Sequence, residues 1–185
     1  ADVVKAAQVT YLEGYLFDPP AAQQAFIAAA ELAHSADRKV AITLSDSFCV
    51  ERHRDAFRAM VEDHIDVLFA NETEILALYE VDKFDDALQA VRGHCEVACL
   101  TRSEKGSVVL SGEDVLVIDS EPVDSVLDTT GAGDLFAAGF LYGYTHGRSL
   151  AESARIGSVA SAEVIGHYGA RPETDLAALV KQRLG

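Results

Sequence analysis

The sequence predicts an α/β fold in which a mostly parallel central sheet is covered by helices on both faces. Short apolar runs alternate along the chain with longer amphipathic stretches, which is the strand and helix order of such a fold. The run Val40-Ala41-Ile42 is continuously apolar, as expected of a strand buried on both sides. After Thr101 the pattern changes to short strands separated by turn residues, which indicates an antiparallel meander at the sheet edge.

The individual elements follow from their apolar patterns and their flanking turns. In the first long helix, Ala22, Phe26 and Ala33 fall on one face. Apolar runs bounded by polar or glycine-containing turns predict the strands. The predicted strands are residues 9–12, 39–44, 67–70, 96–101, 107–110 and 115–118, and the predicted helices are residues 21–35, 50–62, 72–79, 85–92, 135–144, 150–165 and 174–183.

Charge and composition exclude several classes of protein. The 185 residues carry 30 acidic against 15 basic side chains, a formal charge of −15, and 49% of them are hydrophobic. This balance favours a globular protein and argues against nucleic acid as a partner, because phosphate contacts need Lys and Arg. No apolar run approaches the roughly 18 residues that span a bilayer, so we expect no membrane partner.

The cysteines and the first residues bear on location and completeness. Cys49, Cys95 and Cys99 lack the spacing of a zinc site, and no secretory signal is visible, so we expect reduced thiols and a cytoplasmic protein. The chain begins with Ala1, and its one methionine is Met60. We therefore expect it to be part of a longer protein.

The motif Gly131-Ala132-Gly133-Asp134 opens the predicted helix at 135–144 and is the strongest chemical signal. Two glycines at a helix start let backbone N–H groups converge on an anion. A carboxylate there would repel a phosphate if binding were its only task. Asp134 makes sense as a general base that takes a proton from a hydroxyl group while the amides of Gly131, Ala132 and Gly133 stabilise a transferring phosphoryl group. The alternative is a glycine turn with Asp134 as a helix cap.

Two further loops follow predicted strands. Asn71 and Glu74 are spaced as in a capping box. The same spacing would also let Glu74 hold Mg²⁺, directly or through water, while Asn71 meets nucleotide phosphates. The loop from Thr101 to Gly106 reads as a turn. Neither the P-loop pattern nor the dinucleotide fingerprint is present, since Phe136 stands where the latter needs glycine.

Taken together, these loops resemble the ribokinase-like (pfkB-type) carbohydrate and nucleoside kinase family. The stretch from Asp128 to Leu141 is similar to the family's second signature, and Asn71-x-x-Glu74 to its N-x-x-E motif. The Thr101 loop resembles the T-x-G-x-x-G nucleotide loop, with Ser103 in place of the middle glycine. The segment His167-Tyr168-Gly169-Ala170-Arg171-Pro172 resembles the family's last conserved loop.

The resemblance implies a ribokinase-like three-layer αβα fold that lacks its first strands and lid, with residues 1–185 as the carboxyl-terminal, nucleotide-binding portion of one kinase domain. It implies ATP and Mg²⁺ as cofactors, and often a monovalent cation such as K⁺. Carried over by position, the nucleotide would be lined by Asn71, Thr101, Ser103, Gly106 and Ser158. The monovalent cation would be held, mostly through backbone carbonyls, by Asp128, Thr130, Val164, His167 and Gly169.

The implied reaction is transfer of the γ-phosphoryl group of MgATP to a primary hydroxyl. The overall run is most similar to bacterial adenosine kinases and unspecified sugar kinases, which favours a nucleoside, adenosine first. The alternatives are a ribokinase- or fructokinase-type sugar kinase and a non-catalytic nucleotide-binding module. A homodimer is compatible with this reading.

Overall fold

A computed structural model describes residues 1–185, the whole of the chain. The strands are β1 (Val9–Glu13), β2 (Lys39–Thr43), β3 (Val67–Asn71), β4 (Val97–Thr101), β5 (Ser107–Ser111) and β6 (Asp114–Ile118). They form one six-stranded sheet in the order β1-β2-β3-β4-β5-β6. β2 is parallel to both β1 and β3, with Ile42 beside Leu12 on one side and Leu68 on the other.

Nine α-helices and two short 3₁₀ segments, Gly14–Phe17 and Ser103–Lys105, complete the secondary structure. Local sequence sets several of their starts: Pro20 stands at the first position of α2, and Ser149 with Glu152 closes a capping box at the start of α8. The helices are α1 (Asp2–Ala6), α2 (Pro20–His34), α3 (Ser47–Arg52), α4 (Arg54–His64), α5 (Glu72–Tyr79), α6 (Phe84–Val91), α7 (Ala132–Thr145), α8 (Leu150–Val164) and α9 (Leu176–Leu184).

The predicted strands are all present, and Val40, Ala41 and Ile42 are fully buried, as their continuous apolar run predicted. The single helix predicted at residues 50–62 is wrong. Two helices, α3 and α4, cover this region and meet at His53, which is not helical (φ −127°). At this junction Asp18 accepts a hydrogen bond from Arg52 Nη2 at 3.1 Å and lies 2.8 Å from His53 Nε2.

The chain forms two compact units. The first comprises residues 1–100 and 110–115, and the second comprises residues 101–109 and 116–185. In the first, Val40, Ile42, Val67 and Leu68 are completely buried.

In the second unit, α7 and α8 pack with their backbones in near contact. A Cβ atom on Gly139 would lie 2.8 Å from the Cα atom of Gly157, and one on Gly157 would lie 2.6 Å from Phe136 O. Gly139 therefore serves close packing of α7 against α8. None of the helices combines the length and apolar character that crossing a membrane requires.

Candidate active site

The start of α7 presents unused backbone donors beside an exposed carboxylate. Gly131 is the residue before the helix, with φ 83° and ψ 0°, and Asp134 lies in the first turn. The Ala132 N–H donates to Thr129 O at 3.1 Å, whereas the N–H groups of Gly131, Gly133 and Asp134 have no acceptor in the chain. Three amides and the positive end of the helix dipole thus remain available to an anion. The Asp134 carboxylate makes no hydrogen bond to the chain and caps no helix.

Asp128 organises the turn that leads into this helix start. Its Oδ1 accepts from the Thr130 N–H at 2.9 Å, and its Oδ2 accepts from the Gly169 N–H at 2.9 Å. Hydrogen bonds from the Thr130 side chain, the Gly169 amide and the Thr130 amide lower the pKa of Asp128 to about 2. The Asp128 carboxylate therefore connects Asp128, Thr130 and Gly169, which are three of the five residues predicted to hold a monovalent cation.

Gly131 lies directly against the loop that contains Gly169. A Cβ atom on Gly131 would lie 2.9 Å from Ala170 Cβ and 3.1 Å from Ala170 O. Both its left-handed φ and this approach require glycine. The turn before α7 is thus fixed by the segment from His167 to Pro172, whose similarity to a conserved family loop came from sequence alone.

The end of α8 contains a buried carboxylate that sequence reasoning did not identify. The Glu163 side chain is only 6% exposed, and its Oε1 accepts from the N–H groups of Glu173 and Thr174, both at 2.9 Å. Burial opposes its ionisation, but these bonds together with His167 lower the pKa of Glu163. For His167, burial acts to lower the pKa, because it disfavours the charged ring. The Tyr168 carbonyl and Glu163 favour the charged ring and outweigh burial, so the pKa of His167 is raised. Val164, next in the chain, is fully buried.

The predicted nucleotide loop is a tight turn between β4 and β5. The Arg102 N–H donates to Gly106 O at 2.8 Å, and the Gly106 N–H donates to Ser103 O at 3.0 Å. Ser103 has φ 52°, a left-handed conformation in which glycine is the least strained residue. Ser103 stands where the family pattern has its middle glycine. Its left-handed φ explains why glycine is the favoured residue at this position. Ser103 and Gly106 lie in this turn, and Thr101 is the last residue of β4 before it.

A cavity of about 360 Å³ lies between the segment before Asp128 and the helices α8 and α9. Neither the Thr101 loop nor Ser158 lines it, but Ala162, one turn beyond Ser158 on α8, does. No local sequence pattern predicts this cavity, because its walls come from three separated segments. They include Pro122, Val123, Val159, Ala162, Glu163, Thr174, Leu179 and Arg183.

In the first unit, Asn71 and Glu74 form the capping box that was one of their two interpretations. Glu74 Oε2 accepts from the Asn71 N–H at 2.9 Å and Oε1 from Asn71 Nδ2 at 2.7 Å, while Asn71 Oδ1 accepts from the Glu74 N–H at 2.9 Å. Glu74 is 6% exposed. Burial raises its pKa to about 7 against the Asn71 amide, and the carboxylates of Asp46 and Glu13 add to the rise. With both oxygens engaged and almost no exposure, Glu74 does not fit direct coordination of Mg²⁺.

The fold and the start of α7 define an α/β protein of the ribokinase-like class. A family model described as pfkB family carbohydrate kinase matches residues 1–176. The chain therefore belongs to the pfkB family of carbohydrate kinases.

Solved structures agree with this assignment. Adenosine kinase from Sinorhizobium meliloti is 49% identical with a TM-score of 0.95, over 98% of this chain and 56% of that chain. A probable sugar kinase from Rhizobium etli CFN 42 is 47% identical with a TM-score of 0.95, over 98% of this chain and 55% of that chain. The predicted ribokinase-like fold is confirmed.

A structure described as Ribokinase II from E. coli, in complex with ATP and Mg²⁺, shares the fold at a TM-score of 0.87 and 17% identity, over 98% of this chain and 61% of that chain. The curated relatives are also longer than the chain, which spans 43%, 42% and 52% of three of them. The chain thus spans about half the length of the curated relatives it matches.

Proposed function

We propose that the chain is the nucleotide-binding part of an ATP-dependent kinase that transfers the γ-phosphoryl group of MgATP to a primary hydroxyl group, with adenosine as the favoured acceptor. The start of α7 carries this proposal. An exposed carboxylate without a hydrogen bond stands beside three unused N–H donors, and that combination suits proton removal next to a developing anion.

In the proposed reaction, Asp134 accepts the hydroxyl proton as the acceptor oxygen bonds to the γ-phosphorus and the bond to the β-phosphate oxygen breaks. The N–H groups of Gly131, Gly133 and Asp134 stabilise the charge on the phosphoryl oxygens. The sequence analysis assigned the third donor to the Ala132 N–H, but that group already donates to Thr129 O. The backbone N–H of Asp134 is therefore proposed as the third donor instead. A magnesium ion bound with the nucleotide would neutralise phosphate charge. We assign Glu74 the capping role that its contacts support.

We further propose that the cavity beside α8 receives the base of the nucleotide. Its volume of about 360 Å³ suits a planar base, and Val159, Ala162 and Leu179 supply apolar walls. Ala162 lies on the same helix face as Ser158, which the family resemblance places near the adenine. Ala162→Leu should therefore raise the KM for ATP several-fold with little change in kcat. An unchanged KM would remove the base from this cavity.

We also propose a monovalent-cation site, held mostly through backbone carbonyls. Its residues would be Asp128, Thr130, Val164, His167 and Gly169. Both carboxylate oxygens of Asp128 already accept N–H groups, and the His167 ring lies 3.5 Å from Glu163, so carbonyl oxygens are the natural ligands. Such a cation would add positive charge beside the turn before α7.

The acceptor assignment rests on the comparison rather than on a pocket. A relative described as adenosine kinase and one described as a probable sugar kinase are almost equally similar to the chain. Ribose and fructose are therefore the second candidates.

The test is acceptor-dependent ADP release by the complete protein, with MgATP fixed and adenosine, ribose and fructose compared at equal concentrations. Adenosine should give the highest kcat/KM. A sugar preferred by tenfold or more would change the acceptor, and ADP release that no acceptor stimulates would refute the kinase proposal.

A further inference from the structure

The α8–α9 loop, residues 165–175, contacts the helix-start motif at several points. Ile165 O accepts from the Leu127 N–H at 2.9 Å, and the Gly169 N–H donates to Asp128 at 2.9 Å. Ala170 lies against Gly131, where an added Cβ would come within 2.9 Å. The loop has no regular secondary structure of its own, so these contacts and its two ends decide its shape.

Both ends of this loop meet at one buried carboxylate. Glu163 Oε1 accepts from the N–H groups of Glu173 and Thr174 near the end of the loop, at 2.9 Å each. Its Oε2 lies 3.5 Å from His167 Nε2, near the beginning. The Glu163 side chain therefore connects the beginning of the loop, at His167, with its end, at Glu173 and Thr174.

The position of this carboxylate is unfavourable for the helix itself. Glu163 lies in the last turn of α8, where the helix dipole favours cations over anions, and its side chain is only 6% exposed. Burial of a charge is tolerated only where bonding partners compensate it. The bonds that the chain makes to the Glu163 carboxylate all come from the loop, although the residue also lines the cavity beside α8. These bonds therefore tie Glu163 to the loop and not to the helix end.

We propose that Glu163 is a positioning residue for phosphoryl transfer: it holds the α8–α9 loop so that Gly169 and Ala170 fix the turn at Asp128 and Gly131. The effect on turnover rests on the function proposed above, because it acts through the amides at the start of α7. Glu163 touches no reacting atom in this scheme.

The kinetic test compares Glu163→Ala and Glu163→Gln in the complete protein. Glu163→Ala should lower kcat about 10- to 100-fold at saturating MgATP, since a misplacement of about 1 Å costs rates of that order. Glu163 also lines the cavity proposed to receive the base, so kcat, and not the KM for ATP, is the quantity that tests positioning. Glu163→Gln should stay within threefold of wild type, because its amide oxygen can accept both N–H groups. Glu152→Ala is the matched control: it removes a carboxylate that accepts from Ser149 N and Oγ at the opposite end of the same helix. It should lower the Tm and leave kcat unchanged.

A second readout does not depend on activity. Amide hydrogen exchange in Glu163→Ala should accelerate at Glu173 and Thr174 and also at Gly169 and Thr130, but not in Glu152→Ala. Acceleration confined to Glu173 and Thr174, or a kcat within threefold of wild type, would overturn the proposal. If the wild-type protein transfers no phosphoryl group, the proposed function fails, and the exchange pattern still decides whether Glu163 positions the turn.

Should Glu163→Ala not fold, Glu163→Asp replaces it. Its carboxylate is one methylene shorter and cannot keep the bonds to both amides and the contact with His167. A partial loss of kcat with faster exchange at Gly169 supports the inference, and wild-type values of both overturn it.

Discussion

Replacing Asp134 by Asn separates proton transfer from nucleotide binding. The substitution keeps the size of the side chain and its exposed position in the first turn of α7, but it removes the proton acceptor. A positioned general base contributes about 10²–10⁴ in rate. At about 1.4 kcal/mol per tenfold change, this corresponds to roughly 3–5 kcal/mol of transition-state stabilisation.

Two other effects of the same change are smaller. Loss of a negative charge at a helix start weakens a dipole interaction of about 0.3–1 kcal/mol, so the free energy of unfolding should fall only slightly. Removal of that charge also lowers repulsion toward phosphate, so nucleotide affinity should stay constant or rise. The catalytic term exceeds both, and turnover should collapse while binding persists.

The assay is acceptor-dependent ADP release at saturating substrates, with nucleotide affinity measured by calorimetry on the same samples. Asp55→Asn is the matched control, because Asp55 is also an exposed acid in the first turn of a helix, α4. It should leave both quantities unchanged. Turnover of Asp134→Asn within threefold of wild type would remove Asp134 from the mechanism.

Three further changes probe the rest of the site. Gly131→Ala should lose about 1–2 kcal/mol of stability from its left-handed φ alone, more from contact with Ala170, and should lower kcat. Thermal unfolding measures the loss, with Gly133→Ala as stability control because its Cβ would meet nothing within 4 Å. Glu74→Gln should lower the Tm while the Mg²⁺ concentration for half-maximal activity stays the same, and a higher Mg²⁺ requirement would instead favour metal coordination over the bond network with Asn71. Activity should be higher in potassium chloride than in tetramethylammonium chloride at equal ionic strength, and equal rates would contradict the proposed cation site.

The sequence predicted those features that depend on neighbouring residues. Strand positions, the capping-box spacing of Asn71 and Glu74, and the glycine turn before α7 are encoded within a few positions of one another. The start of α3 also had a local signal that the sequence reasoning missed. Asp46 accepts from the N–H groups of Phe48 and Cys49 and is an ordinary N-cap.

Features that depend on distant partners could not be predicted from local patterns, although the family resemblance had already grouped Asp128 with Gly169. The break at His53 lies where the ring of His53 contacts Asp18, a residue 35 positions away, and no local pattern at residues 50–62 predicts that contact. The bond from the Gly169 N–H to Asp128 joins residues 41 positions apart. The same limit hid Glu163, whose partners are main-chain amides, and any residue type at 173 or 174 except proline supplies an amide.

The contacts of the second unit also resolve a conflict raised by composition. A chain with a net charge of −15 is proposed to bind a polyanion at a turn that itself contains acids. Asp128 and Glu163 each use both carboxylate oxygens in contacts within the protein, so their charge is offset locally by amides and by His167. Distant surface carboxylates are screened beyond about 10 Å at 0.1 M salt. Asp134 differs from these acids because its oxygens have no bonding partner in the chain, and it stands beside the N–H groups that an anion would occupy. Asp128 and Glu163 thus hold backbone amides, whereas Asp134 has no hydrogen bond and is available to accept a proton. Their different hydrogen bonding distinguishes the two roles.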